Sequence, residues 1–268
     1  MSIHRLLITG AAGNLGRVAR KAFAGAYPVL RLSDRAGLGP AGHGEECVTC
    51  ELGDRAAVAK LLEGVDAVIH FGGQPDDSAG LDVVLNANIH GVVNLWEAAR
   101  QAGTKRILFA SSNHTIGFHP RDTTIDHLCQ KRPDGHYGLS KAFGEDLARL
   151  YADKHGIKAF CMRIGSCFPE PVDARMLKTY LSYDDLVRLM KVGLTADYHF
   201  EVVYGVSANK TTFWDNRNAE RLGYQPQDSA DPWADKIKDK LSGNPVAEKF
   251  QGGMFCANGF SGDINAVK

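Results

Sequence analysis

The sequence predicts an α/β fold, a Rossmann-type doubly wound parallel sheet with a small C-terminal substrate lobe. Three observations carry this. A short apolar run, Arg5 to Thr9, meets a turn containing Gly10, Gly13 and Gly16, and a helical pattern follows through Val18, Ala19, Ala22 and Phe23. Further apolar runs at Val29, Glu46, Asp66, Arg106 and Lys158 alternate with helical patterns, as the strands of a parallel sheet do. Only about a hundred residues follow the sixth run, room for a small lobe and little more. The expected division is a cofactor-binding domain over 1–165 and a substrate-binding lobe over 166–268, partly interleaved with it.

Each element has its own justification. A strand, a glycine turn and a helix N-terminus together form a pyrophosphate cradle from free N–H groups and the helix dipole. The second run, Val29 to Ser33, leads to Asp34. A carboxylate there accepts hydrogen bonds from both ribose hydroxyls and repels a 2′-phosphate, which selects NAD. Arg35 beside it is able to welcome a phosphate. Residues 36 to 46, rich in Gly and Pro, read as a surface loop. Glu46 to Glu51 is a third strand, and Asp54 is the N-cap of the helix after it. Asp66 to Phe71 is a buried parallel strand whose following Gly72 and Gly73 let backbone approach a cofactor closely. His70 within it reads as a core histidine.

A long helix is expected from Gly80 to Ala102, containing Asn88, Gly91 and Asn94 as N-x-x-G-x-x-N, with Asn88 supporting a strand end. Arg106 to Ala110 is the fifth strand. Ser111, Ser112, Asn113 and His114 stand at its carboxyl end, where open α/β sheets bind their ligands. Tyr137 to His155 is a helix with Phe143, Leu147, Leu150 and Tyr151 at helical spacing. Lys158 to Ile164 is the sixth strand. Beyond Arg175 a helix near 184–192, a strand near 202–204 and the run N-A-E-R-L-G-Y-Q-P compose the small lobe.

Composition narrows the class of function. Lys plus Arg and Asp plus Glu number 31 each, so the formal net charge is zero. Nucleic acid and anionic membranes, which favour a basic surface, are poor partners for such a chain. The N-terminus runs straight into a strand with no signal-peptide core, and no apolar run approaches membrane-spanning length. A soluble, cytoplasmic protein is expected. Six cysteines lie at 47, 50, 129, 161, 167 and 256. No second pair accompanies the Cys47/Cys50 C-x-x-C at zinc-site spacing, so no metal site is expected and the thiols read as buried or half-buried.

Chemistry concentrates in Y-G-L-S-K, where Tyr137 and Lys141 stand four apart on one helix face. A phenol of unperturbed pKa ~10 is a poor base at neutral pH. An ammonium beside it favours the phenolate and draws that pKa toward the working range.

The glycine spacing G-x-x-G-x-x-G in T-G-A-A-G-N-L-G, with Asp34, N-x-x-G-x-x-N, Ser112 standing 25 positions before Tyr137, and Y-G-L-S-K, resembles the extended branch of the short-chain dehydrogenase/reductases. Within it, F-A-S-S-N-H-T-I-G-F, R-P-D-G-H-Y-G-L-S-K, R-I-G-S-C-F-P-E-P with Arg175 after it, and F-Q-G-G-M-F resemble bacterial uronate dehydrogenases over nearly the whole chain. The resemblance implies NAD-dependent oxidation of D-glucuronate or D-galacturonate at C1 to the aldarolactone. It implies Tyr137 as base, Lys141 on the nicotinamide ribose and tuning Tyr137, and Ser112 holding the reacting oxygen. Ser112, Asn113, His114, Tyr137 and Ser166 would contact the sugar, and Arg175 its C6 carboxylate. Cofactor contacts would come from Gly10, Gly13, Asn14, Leu15, Gly16, Asp34, Arg35, Glu51, Leu52, Phe71, Gly72, Gly73, Asn88, Lys141 and Cys167. A homo-oligomer, a dimer or a multiple of it, is implied through the helices over 80–102 and 137–155.

Two departures stand out. Relatives carry Asp-Leu beside the adenine where this chain has Glu51-Leu52. Gln74 to Ser78 reads Q-P-D-D-S in place of a serine-containing loop, and Asp76 near a uronate carboxylate would repel it. Other readings remain open: a sugar epimerase or neutral-sugar 1-dehydrogenase of the same superfamily, or a non-catalytic NAD-sensing regulator. An intact Tyr137 and Lys141 speak against the last.

Overall fold

The computed structural model describes residues 2–75 and 80–267, so the expectation attached to Asp76 and Asp77 lies outside the described residues. The strands are β1 (Arg5–Thr9), β2 (Val29–Asp34), β3 (Glu45–Thr49), β4 (Ala67–His70), β5 (Arg106–Ser112), β6 (Lys158–Ile164), β7 (Ser166–Cys167), β8 (Tyr180–Leu181) and β9 (Phe200–Gly205). Seven of them form the main sheet in the order β3-β2-β1-β4-β5-β6-β9, while β7 and β8 pair separately. Strand order reverses between β1 and β4, the point where doubly wound sheets bind ligands. The strand expected within the small lobe is β9, which extends the main sheet. Its Val202 to Gly205 form a continuous buried run, as an added sheet strand requires.

The chain divides into two compact units. The first comprises 1–110, 143–161 and 193–201; the second comprises 111–142, 162–192 and 202–268. In the first, Leu6, Leu7, Ile8, Val68, Ile69, Ile107, Leu108 and Phe109 are wholly buried, which explains why these strands read as unbroken apolar runs. Thr9 Oγ1 lies 2.6 Å from His70 Nδ1, and both are buried, so His70 is the core histidine its position suggested. Helix α1 (Asn14–Phe23) follows the glycine turn, and α2 (Arg55–Leu61) is capped by Asp54, which accepts from the N–H groups of Ala56 and Ala57.

The long helix expected from Gly80 is a composite: α3 (Leu81–Val84), a π-helical turn over Leu85–His90, and α4 (Gly91–Ala102). Its asparagines explain the N-x-x-G-x-x-N pattern. Asn88 Oδ1 accepts from the Gln74 N–H at 2.7 Å and its Nδ2 donates to Gln74 O at 3.0 Å, pinning the loop beyond β4. Asn94 Nδ2 donates to Leu52 O at 2.9 Å, pinning the loop beyond β3. A Cβ at Gly91 would meet Leu52 Cβ at 2.7 Å, so only glycine lets the helix come this close.

The C-x-x-C corrects one expectation. Strand β3 ends at Thr49, Cys50 is buried, and Cys47 is exposed because β3 is an edge strand with a single neighbour. Among the described residues no disulfide joins any of the six cysteines.

In the second unit, α5 (His136–His155) begins, and α6 (Met176–Thr179) and α7 (Tyr183–Thr195) follow β6 and β7. Its core is aromatic: Trp214 stacks on Tyr204 at 5.0 Å and 7°, with Ile116, Val206 and Phe213 around them. Gln251, wholly buried, ties the tail down. Its Nε2 donates to Pro120 O (2.9 Å) and Thr123 O (3.0 Å), and its Oε1 accepts from Trp214 Nε1 at 3.0 Å. No helix among the described residues is long and apolar enough to cross a membrane.

Candidate active site

Strand β5 is two residues longer than its apolar run suggests and carries Ser111 and Ser112 to its buried end. Ser112 caps the 3₁₀ turn Asn113–Ile116: its Oγ accepts from the His114 N–H at 3.1 Å, and its carbonyl accepts from Thr115 Oγ1 at 2.8 Å. The same hydroxyl hydrogen-bonds the Tyr137 phenol. Tyr137 opens α5, and Lys141, one turn on, brings Nζ to 5.6 Å from the Tyr137 ring centroid.

These ionisations differ from the sequence expectation. Burial pushes the Tyr137 phenol up to about 12, the Asp134 carboxylate adds to the rise, and only the Ser112 hydrogen bond opposes it. Burial draws the Lys141 ammonium down to about 8. Desolvation disfavours the charged form of each. The lysine stands by the ring and so does not by itself bring the phenol into the neutral range.

Arg175, at the N-terminus of α6, points three donors at neutral groups. Nε donates to Gln251 O at 2.6 Å and Nη1 to Ser166 Oγ at 3.3 Å. The Asn113 amide, oriented as its neighbours require, donates to Ile164 O at 3.1 Å and accepts from Arg175 Nη2 at 2.5 Å. Ser166 Oγ also meets Thr179 Oγ1 at 2.9 Å. Among the described residues no carboxylate lies within ion-pair distance of this half-buried guanidinium, and burial lowers its pKa.

His114 completes the cluster. Its Nδ1 lies 2.7 Å from Asp134 Oδ2, and its ring stacks on Phe255 at 3.7 Å and 18° and meets Tyr137 edge-on at 6.0 Å. The second unit thus brings Ser112, Asn113, His114, Tyr137, Lys141, Ser166 and Arg175 together. Sequence reasoning missed Asp134, Gln251 and Phe255. Each sits in a stretch whose resemblance was noted, R-P-D-G-H-Y and F-Q-G-G-M-F, but an isolated acid, amide or phenylalanine there carries no pattern of its own.

In the first unit the glycine turn is as tight as a dinucleotide loop requires. Gly10 has φ +67°, and a Cβ on it would meet Gly72 N at 2.7 Å. A Cβ on Gly16 would stand 2.1 Å from Gly10 O. Gly13 caps α1 with extended backbone and no side-chain bond, leaving the helix N-terminus open. Asn14 is exposed and Leu15 half-buried at the head of α1. Asp34, at the end of β2, accepts from the N–H of Ala12 (2.9 Å), which ties its carboxylate to the glycine loop, and from the N–H of Ala36 (3.0 Å) in its own turn. Arg35 and Glu51 are exposed, Leu52 is buried, and Phe71, Gly72 and Gly73 (φ +151°) follow β4. Asn88 spends two of its amide bonds on Gln74. Cys167 belongs to the second unit, in β7, where burial pushes its thiol pKa up. Among the described residues no group of three or more His, Cys, Asp or Glu side chains is placed to hold a metal ion.

The profile of the NAD dependent epimerase/dehydratase family matches residues 6–182. The chain belongs to this family. It is 50% identical to the uronate dehydrogenase of Pseudomonas putida, over 96% of this chain and 97% of that one. The crystal structure of glucuronic acid dehydrogenase from Chromohalobacter salexigens superposes with a TM-score of 0.91 at 46% identity, covering 98% and 99% of the two chains. A tyrosine-to-alanine variant of the uronate dehydrogenase from Agrobacterium tumefaciens, complexed with NAD, matches with a TM-score of 0.90 at 44% identity, covering 95% and 97%. The cofactor of this chain is NAD. The glycine turn, the open N-terminus of α1 and the Asp34 carboxylate fit a dinucleotide: backbone donors for the pyrophosphate, an acceptor for a ribose.

Proposed function

We propose that the chain oxidises a hexuronic acid, D-glucuronate or D-galacturonate, at C1 with NAD, and releases the aldarolactone. The observation that carries this reading is Arg175, a half-buried guanidinium whose hydrogen-bond partners among the described residues are all neutral. Burial works against this cation, the Asp173 and Asp134 carboxylates only partly offset it, and a bidentate carboxylate is the partner its planar fork suits. The 50% identity to a uronate dehydrogenase supports the same substrate class.

In this reading the first unit binds NAD, through the glycine turn 10–16 with Asn14 and Leu15, through Asp34 and Arg35, and through Glu51, Leu52, Phe71, Gly72, Gly73 and Asn88. Cys167 and Lys141 are assigned to the cofactor in the same reading. Arg175 grips the C6 carboxylate, with Asn113 and Ser166 bracing its fork. His114 contacts a ring hydroxyl. Ser112 holds the anomeric oxygen by hydrogen bond, and Tyr137 takes the proton from that oxygen. When bound, oxidised NAD accepts the C1 hydrogen with its electron pair and brings a positive charge. As the O–H and C1–H bonds break, the C1–O bond becomes a carbonyl and the ring stays closed, so the lactone forms with no water consumed. Lys141, charged below about pH 8, stabilises the phenolate as it forms.

The test is initial NADH formation with glucuronate, galacturonate, glucose and galactose side by side. Strong rates with the two uronates and none with the neutral sugars support the reading. Comparable rates with glucose or galactose would replace it with a neutral-sugar dehydrogenase, and no rate with any of the four would overturn it.

A further inference from the structure

We propose that Asp134 is a positioning residue that holds His114 with its proton on Nδ1, so that Nε2 offers a lone pair to a sugar hydroxyl other than the reacting one. The assignment of a sugar to this cluster rests on the function proposed above; the state of the imidazole does not.

An ionised carboxylate only accepts hydrogen bonds, so the 2.7 Å contact between Asp134 Oδ2 and His114 Nδ1 puts the imidazole proton on Nδ1. The carboxylate is committed to this one strong donor. Its Oδ1 is buried without a partner among the described residues, and the remaining contact is the Cys256 thiol, 3.9 Å from Oδ2. Asp134 cannot turn away, because glycines from separate segments pack against it. A Cβ on Gly117 would stand 1.9 Å from Oδ2, and one on Gly252 would stand 2.0 Å from it. A Cβ on Gly138 would stand 2.3 Å from His114 O. The imidazole is fixed in plane as well, by Phe255 stacked on one face. Its side chain remains 13% exposed beside Tyr137. A ring fixed in tautomer, plane and tilt is a directional acceptor, and Arg175 already serves the substrate's anionic end. A site built to pair one hydroxyl rejects an analogue that lacks it, because the imidazole lone pair is then left unpaired.

Asp134→Asn tests this. Its amide would donate to Nδ1, which moves the proton to Nε2 and turns the acceptor into a donor. In the full-length protein labelled with 15N-histidine, with His114→Gln assigning the signals, wild type should show a protonated Nδ1 and a bare Nε2. Asp134→Asn should show the reverse. A wild-type His114 protonated at both nitrogens at neutral pH, or on Nε2 alone, would overturn the proposal.

The kinetic arm compares glucuronate with its 2-, 3- and 4-deoxy analogues. Wild type should discriminate against one analogue by about a hundredfold or more in kcat/KM. In Asp134→Asn that ratio should collapse to within about threefold while the NAD dissociation constant holds. An equal loss on all four substrates would mark Asp134 as merely structural and sink the idea. Gly117→Ala gives a second route that keeps the charge: its methyl displaces the carboxylate, and the same ratio should collapse. A wild type inactive on every uronate would defeat the substrate reading, and the nitrogen spectra would still decide the tautomer.

Discussion

As the proposed base, Tyr137 would have to act in a state that its surroundings resist. Burial pushes its phenol up to about 12, so in the proposed reaction the positive charge of bound NAD would have to favour the phenolate. Tyr137→Phe should therefore keep NAD affinity, by calorimetry, while kcat falls about 10²–10⁴-fold; retained turnover would remove Tyr137 from the reaction. Arg175→Ala should raise KM for the uronate about 10–100-fold with KM for NAD unchanged, and equal rises in both would assign the arginine another task. Lys141 supplies a stability test with a definite sign. Its pKa falls from 10.5 to about 8 on folding, so between those values the unfolded chain holds more protons and stability rises with pH. The penalty is complete below about pH 8. It amounts to about 3 kcal/mol for this buried group. Lys141→Met should raise the unfolding temperature at pH 7, and the gain should fade toward pH 10.5. A gain that does not change with pH would mean that packing, and not ionisation, is responsible.

At the scale of elements, the glycine turn and the helix after it are the most legible parts of the chain. Their apolar and glycine spacing is local, and β1 and β6 lie where the pattern put them, while β3 begins at Glu45, inside the expected loop, and ends at Thr49. The π-helical turn at Leu85–His90 left no local mark, since its cause is the fit of Asn88, Gly91 and Asn94 against loops distant in sequence. The ionisation of Tyr137 was misjudged for the same kind of reason: burial is a property of packing, and a Y-x-x-x-K pattern reports only which side chains share a face. Gly16→Ala puts a methyl against Gly10 O and should weaken NAD binding at least about tenfold, about 1.4 kcal/mol, measured by quenching of protein fluorescence. Unchanged affinity would mean that the turn has slack the 2.1 Å approach denies.

For the molecule as a whole, the formal net charge is zero, so in the proposed reading an anionic substrate is met by a single placed group, Arg175. Ligands bound by the native state alone raise its stability, by about 2.7 kcal/mol at a hundred times the dissociation constant. NAD and glucuronate should each raise the unfolding temperature of wild type. In Arg175→Ala the glucuronate increment should vanish and the NAD increment remain; loss of both would point to damage to the fold. The whole-chain likeness was legible because its motifs recur along the sequence in order. The partners of His114 and Arg175 were not, because Asp134, Gln251 and Phe255 reach them only through folding. The glycines packed on Asp134 also constrain substitution. Any other residue there brings a Cβ, which at Gly117 or Gly252 would press on the carboxylate and at Gly138 on the His114 carbonyl, so each such change should disturb the imidazole through its neighbours.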